Sequence, residues 1–358
     1  MRQIAGILIL ITFLSCKSYK TRIDSSIRLK YLDEYILSGT IELDKTLIGG
    51  LSGIDYYNGT YYLVCDDPGN PRFYEAEIAI ANSKITKVNI QNVVELKDTT
   101  HYLDLEAIRF NSITNQIVLT SEGHVKKQKD PQFFSVNING ELKNWFELPK
   151  AFKATSLEKP RHNGTLEGLS TSVDNKGYWI AMELPLEIDG PEPQLVRTNS
   201  PVRITYIDTT SNQAKRQFAY SLDSISKKPK GNFAVNGLTD ILEYAKDKFF
   251  IIERSYSSGL GSQGNTVKIF KVDASKATNT LKLSSLKNAN FIAATKELVF
   301  DFERVRDQLT DNSIDNIEGI TFGPRLHNQH RTLILVSDNN FNKLGTQLNQ
   351  FILLEIID

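Results

Sequence analysis

Cysteine is almost missing from this chain: its 358 residues hold two, Cys16 and Cys65. A network of disulfides is thereby excluded as a source of stability, and so is any zinc site rich in thiolates. Histidine is scarce as well, with five residues, His101, His124, His162, His327 and His330. None falls in an H-E-x-x-H arrangement, and His327 and His330, in RLHNQHRT between two strands, read as surface histidines. Net charge is missing too. Lysine plus arginine total 42 and aspartate plus glutamate 42, which leaves no electrostatic footprint for nucleic acid or for an anionic membrane surface. No segment carries a sustained apolar period of about 3.6 residues with caps, so a helix-rich fold is not expected. With 40% hydrophobic and 23% charged residues, the composition is still that of an ordinary packed globular protein.

The apolar run Ile4 to Leu14 follows Met1-Arg2-Gln3 and is closed by Ser15-Cys16. It is too short to span a bilayer but has the length of a signal-peptide core. The pattern resembles a bacterial lipoprotein signal, in which Cys16 becomes the lipidated first residue; Phe13 stands where leucine is usual. An ordinary secretory signal with an incidental cysteine is the other reading. The expected division is a signal peptide over 1–15, a tether over 16–33 and one β domain over 34–358, held to the cell envelope by lipid. Cys65 would then be the only thiol, and no intramolecular disulfide could form.

One short phrase recurs: Leu105-Glu106-Ala107-Ile108, Leu166-Glu167-Gly168-Leu169 and Ile317-Glu318-Gly319-Ile320, with weaker echoes at Leu51-Ser52-Gly53-Ile54 and Val235-Asn236-Gly237-Leu238. Each copy is followed by a turn and an apolar strand ending in an acid: Tyr61 to Asp66, Ile117 to Glu122, Tyr178 to Glu183, Phe249 to Glu253 and Leu333 to Asp338. A third strand follows each, and outer strands fit Thr86–Ile90, Trp145–Leu148, Gln217–Tyr220 and Glu297–Phe302. Repeats of this size, with three or four short strands apiece, predict an all-β fold, a β-propeller with five repeats. Six blades are the alternative, with a degenerate repeat between Val272 and Ile317. The last repeat lacks an outer strand, and the unassigned segment Ile36 to Leu43 would supply it and close the ring.

In such a ring the small residue of the phrase is a packing requirement, because innermost strands crowd together. The preceding polar residue and the acid after the second strand would meet at the channel mouth. That predicts a carboxylate ring: Asp66, Asp67, Glu106, Glu122, Glu167, Glu183, Glu253, Glu318 and Asp338. Like charges so close need compensation. Oxygen-only donors suit a divalent cation, calcium ahead of magnesium, on Glu106, Glu167, Glu318, Asp338, Glu122, Glu183 and Glu253. The structural alternative for each glutamate is a bond stitching adjacent blades, or a pair with Arg72, Arg109 or Arg254. The glycine-rich GLGSQG, Gly259 to Gly264, lies between two strands and reads as a loop rather than a nucleotide site.

The combination of Asp315-Asn316-Ile317-Glu318-Gly319-Ile320, the strand Leu333 to Val336 with Ser337-Asp338-Asn339-Asn340-Phe341, and Glu253-Arg254-Ser255-Tyr256 resembles the family called esterase-like activity of phytase. The likeness runs from about Gly50 to the C-terminus. It implies hydrolysis of small-molecule esters or phosphoesters, with Glu318, Asp338 and Glu167 as catalytic acids and Arg254, Arg72 and Asn339 on the substrate. Ser52 and Asn236 depart from the acidic pattern, and no dense lysine cluster is present to grip a hexaphosphate. A non-catalytic propeller that binds a ligand or protein over the same face is the rival reading.

Overall fold

The computed structural model describes residues 27–97, 100–343 and 345–357. The signal peptide and the lipidation site Cys16 lie outside the described residues. Among the described residues, β-branched and aromatic runs broken by Asn, Asp and Gly form 22 strands. The described residues open with β1 (Arg28–Leu37) and a small hairpin, β2 (Glu42–Leu43) and β3 (Thr46–Leu47). Five four-stranded antiparallel sheets follow. Blade 1 is β4 (Leu51–Tyr57), β5 (Thr60–Cys65), β6 (Arg72–Ala81) and β7 (Lys84–Glu95). Blade 2 is β8 (Leu105–Asn111), β9 (Gln116–Ser121), β10 (Gln132–Asn137) and β11 (Leu142–Trp145). Blade 3 is β12 (Leu166–Thr171), β13 (Gly177–Met182), β14 (Pro201–Asp208) and β15 (Gln213–Ser221). Blade 4 is β16 (Ala234–Ala245), β17 (Lys248–Ser257), β18 (Asn265–Asp273) and β19 (Thr295–Asp301). Blade 5 has β20 (Asn316–Gly323), β21 (Thr332–Asp338) and β22 (Asn349–Ile357), and takes β1 as its outer strand.

The innermost strands β4, β8, β12, β16 and β20 pack side by side around the axis, and β20 returns to β4. The architecture is a five-bladed β-propeller. The stretch between Val272 and Ile317 adds only β19 and short 3-10 turns to blade 4, so no sixth blade hides there. The GLGSQG segment forms one 3-10 turn, Gly261–Gln263, between β17 and β18. Among the described residues no helix is long and apolar enough to cross a membrane.

The inner strands crowd as their small residues require. A Cβ on Gly319 would stand 2.9 Å from the Cα of Gly53 and from Ile54 N, and one on Gly53 would stand 2.8 Å from the carbonyl oxygen of Glu106. Side chains at these two positions would therefore push adjacent blades apart. Between the blades lie the apolar clusters. One joins Trp179, Phe218, Ile241 and Phe249 of blades 3 and 4, and another joins Leu51, Leu63, Val336 and Phe351 of blades 1 and 5.

The ring closes as expected, through an N-terminal strand that pairs with the last one. The strand itself is Arg28–Leu37, in register from Arg28 opposite Ile357 to Leu37 opposite Asn349, rather than 36–43. It also occupies residues assigned above to the tether. A bulge between Tyr31 and Asp33 shifts the side-chain alternation and hides the strand from a period-two reading. Residues 42–43 pair instead with 46–47 across Asp44 and Lys45, both at positive φ (51° and 65°). That is the geometry of a type I′ turn, here without the usual glycine.

Candidate functional site

Strand pairing sets the phase of the five repeats. In successive blades Leu51 faces Cys65, Leu105 faces Ser121, Leu166 faces Met182, Leu238 faces Glu253 and Ile317 faces Ser337. Immediately after each of these pairs the inner strand bulges. The bulged residues are Ser52, Glu106 with Ala107, Glu167, Thr239 and Glu318. A bulge frees one residue from the ladder and re-aims its side chain, and here that turns three glutamates to the mouth of the axis. The residue after each facing partner arrives at the same mouth: Asp66, Glu122, Glu183, Arg254 and Asp338. The phase of blade 4 differs from the expectation above. Its copy of the phrase is Leu238-Thr239-Asp240-Ile241, and Arg254, not Glu253, takes the place that is acidic in the other four blades.

These positions bring Glu106, Glu122, Glu167, Glu183, Glu318, Asp338, Asp66 and Arg254 together, all with low solvent exposure. Asp104, two residues before Glu106, joins them and was not foreseen. Ligand oxygens of Asp66, Asp104 and Glu106 lie within 4.8 Å of one another, and so do those of Glu106, Glu122 and Glu167. Glu106 belongs to both triads.

Burial first, and then mutual repulsion, drive these carboxyls toward the protonated form. Asp104 is pushed up to about 9 and shares a hydrogen bond with Asp66, whose own pKa burial also raises. Glu122 rises to about 8 through burial and the charges of Glu183 and Asp66. Asp338 rises to about 7 through burial and Asp66, and Glu183 rises to about 7 through burial against the opposing pull of Arg254. Glu106, Glu167 and Glu318 are held well above the ordinary glutamate range, again mainly by burial. The Arg254 guanidinium donates to Asn316 Oδ1 and pairs with Glu318 at 3.2 Å. Burial opposes its charge, but Glu318, Glu183, Glu167 and Asp338 outweigh that and keep it protonated.

The triads fit a hard cation. Thr165 Oγ1 donates to the Glu122 carbonyl oxygen at 2.7 Å, while the buried Oε2 of the Glu122 carboxylate has no hydrogen-bond partner among the described residues. A buried carboxylate oxygen without a donor is a costly arrangement that a cation would relieve. Carboxylate oxygens this close together can share one hard divalent cation, and an oxygen-only set suits calcium or magnesium.

Three residues expected at the site lie elsewhere. Glu253 points to the junction with blade 3, where it accepts from Tyr220 Oη (2.5 Å), Asp223 N (2.9 Å), Asn236 Nδ2 (2.7 Å) and Lys296 Nζ (2.6 Å). Successive strand residues face opposite sides, so Arg254 takes the mouth and Glu253 cannot. Arg72 is bound to Asp67 at 2.8 Å and to Tyr74 Oη at 2.9 Å, beside the Phe341 ring. Asn339 accepts from Gly50 N and Phe341 N and so braces the loop after β21. Arg109 pairs with Asp240 rather than with a glutamate.

The sequence matches the family described as esterase-like activity of phytase over residues 46–341. No curated protein matches it significantly. Solved structures of similar shape include the catalytic domain of an α-L-arabinofuranosidase from Coprinopsis cinerea, 10% identical over 92% of this chain and 97% of that one, with a TM-score of 0.43. A member of the duf4221 family from Bacteroides vulgatus is 11% identical over 92% and 98% of the two chains, with a TM-score of 0.39. The Dos1 propeller is 9% identical over 85% and 68%, with a TM-score of 0.33. At these values the structural likenesses carry no argument about activity.

Proposed function

The chain belongs to the phytase-like family, esterase-like activity of phytase, and on that premise we propose that it hydrolyses small-molecule esters or phosphoesters at the mouth of the propeller axis with the help of a divalent cation. The observation that carries this reading is the pair of oxygen triads that share Glu106. Asp66, Asp104, Glu106, Glu122 and Glu167 would hold the cation, calcium ahead of magnesium. A cation bound there supplies Lewis-acid polarisation of an ester oxygen and offsets the crowded negative charge. Arg254 stands across the mouth, in the one blade that lacks an acid there, and its guanidinium orients the anionic or polar end of the substrate. Asp338, with a pKa near 7, accepts the proton of the attacking water and returns it to the departing alkoxide. Glu318 and Glu167 hold Arg254 and the cation in place from either side. Anchoring to a bacterial envelope through Cys16 belongs to the same proposal; lipid labelling lost in Cys16→Ala supports it, and labelling that survives that change overturns it.

Calorimetric titration of chelator-stripped protein with calcium and magnesium, followed by hydrolysis of p-nitrophenyl acetate and p-nitrophenyl phosphate, tests the reading. Calcium should bind and activate, and Glu106→Gln should lose both effects while remaining folded. Folded protein that binds calcium but leaves a broad ester and phosphoester panel untouched would move the assignment to a ligand-binding propeller. Protein that binds neither ion would remove the metal as well.

A further inference from the structure

We infer that a second cleft, between blades 3 and 4, is a binding site for a small oxyanion ligand, one carrying a phosphate or carboxylate group. It is separate from the axial mouth and does not rest on the function proposed for it. The cleft encloses about 750 Å³, with Arg197, Lys268 and Lys296 on its walls together with Ser221, Ser224 and Asp223. That volume suits a small molecule.

The cleft is built from a buried network. Glu253, 2% exposed, accepts four hydrogen bonds, and Lys296 Nζ lies 2.6 Å from its Oε1. The lysine starts from the edge strand β19, and its Nζ lies 4.3 Å from the ring centroid of Phe270 and 4.9 Å from that of Tyr220. Carboxylate and ring faces thus deliver an ammonium to the cleft floor at little cost in side-chain freedom. Its second partner, Asp223 at 2.7 Å, is 40% exposed and lines the cleft itself. Lys268 lies directly opposite Glu253 in the β17–β18 pairing and so shares the face that looks toward blade 3. Neither Lys268 nor Arg197 makes an ion pair among the described residues. Two cations that make no ion pair beside a third that is fixed in place, with serine hydroxyls alongside, form a recognition set for an oxyanion.

The test titrates the full chain, in calcium-free buffer with chelator, with inorganic phosphate and separately with acetate. Amide chemical shifts and calorimetry serve as readouts. Phosphate or acetate should bind saturably to the wild type, and shifts should centre on residues 197–199, 221–226 and 268. Tighter binding of phosphate would identify a phosphorylated ligand, and tighter binding of acetate a carboxylate ligand. Arg197→Ala with Lys268→Ala should weaken binding at least tenfold while calcium affinity stays unchanged; Lys268→Ala alone serves if the double variant unfolds. Absence of saturable binding by either anion, or binding that the variants leave intact, would overturn the inference.

Discussion

Arg109 and Asp240 face each other across the propeller axis at 2.9 Å, and between them they reach the backbone of every innermost strand. Arg109, on β8, donates to the carbonyls of Ile54 on β4, Ile241 on β16 and Ile320 on β20. Asp240, on β16, accepts from the N–H groups of Leu169 on β12 and Ile320 on β20. Both side chains are almost wholly buried. An ion pair placed there offsets its desolvation because both terminal nitrogens of Arg109 and both oxygens of Asp240 also have backbone partners; Arg109 Nε alone is buried without one among the described residues. Asp240→Asn should leave the guanidinium buried without a counter-charge and cost about 3–5 kcal/mol, read as a lower urea midpoint. A loss under 1 kcal/mol would show that the pair does not tie the ring.

Stability of the metal-free protein should depend on pH with a defined sign. The mouth carboxyls have folded pKa values raised to about 9 for Asp104, about 8 for Glu122 and about 7 for Glu183 and Asp338. Their unfolded values lie near 4, so the folded state binds more protons between these limits and its stability falls as pH rises. The decline should approach about 1 kcal/mol or more per pH unit from about pH 5 to about pH 7. Saturating calcium should flatten it by stabilising the ionised acids. Urea titrations at several pH values, with chelator and with calcium, check both slopes; a chelated protein that becomes more stable toward pH 8 contradicts the expectation.

Arg254 sets the charge balance of the mouth. Arg254→Met removes the guanidinium while keeping much of its apolar stem, so the acids should hold calcium more tightly, by roughly tenfold. Hydrolysis of anionic esters should fall in the same variant, because the orienting group is gone. Weaker calcium binding in Arg254→Met would place the arginine among the supports of the cation rather than across from it.

Gly319→Ala puts a methyl within 2.9 Å of the backbone of Gly53 and Ile54 in the neighbouring blade. Backbone cannot swing away as a flexible side chain can, so the substitution should cost about 1–3 kcal/mol. Gly59, in the Asn58-Gly59 turn at the other end of β4, has nothing within 4 Å of an added Cβ. Its φ of 95° makes alanine a conformational strain with no clash. Comparing the thermal midpoints of the two variants separates crowding at the ring from strain at a turn; equal losses would remove the crowding argument.

Much of the fold was legible because strand chemistry and the five-fold phrase both survive in one sequence. The second strands, Tyr61 to Val64 and Leu333 to Val336 among them, are read directly from β-branched and aromatic runs. The phase of blade 4 was not legible. Gly237 imitates the small residue of the phrase, yet it serves another need: a Cβ there would stand 2.5 Å from Glu183 Oε1. Only the pairing of Leu238 with Glu253 reveals that Asp240 holds the small-residue position and Arg254 the acidic one. Asp104 carried a signal that was passed over, since it stands two residues before Glu106, a spacing that returns to the same side of an extended chain. The bulge in β1 erased the alternation that would have set its limits.

The closing strand also sets the side of the propeller from which the N-terminal segment departs. Leu37, at the end of β1, lies beside Asn349, where β22 leaves the loop that follows Asp338, while Arg28 lies beside Ile357 at the far end of the blade. The chain therefore enters the propeller from the side opposite the carboxylates. If Cys16 is lipidated as proposed, the side opposite the carboxylates would face the lipid and the acidic opening would turn outward, toward dissolved esters rather than bilayer phospholipid.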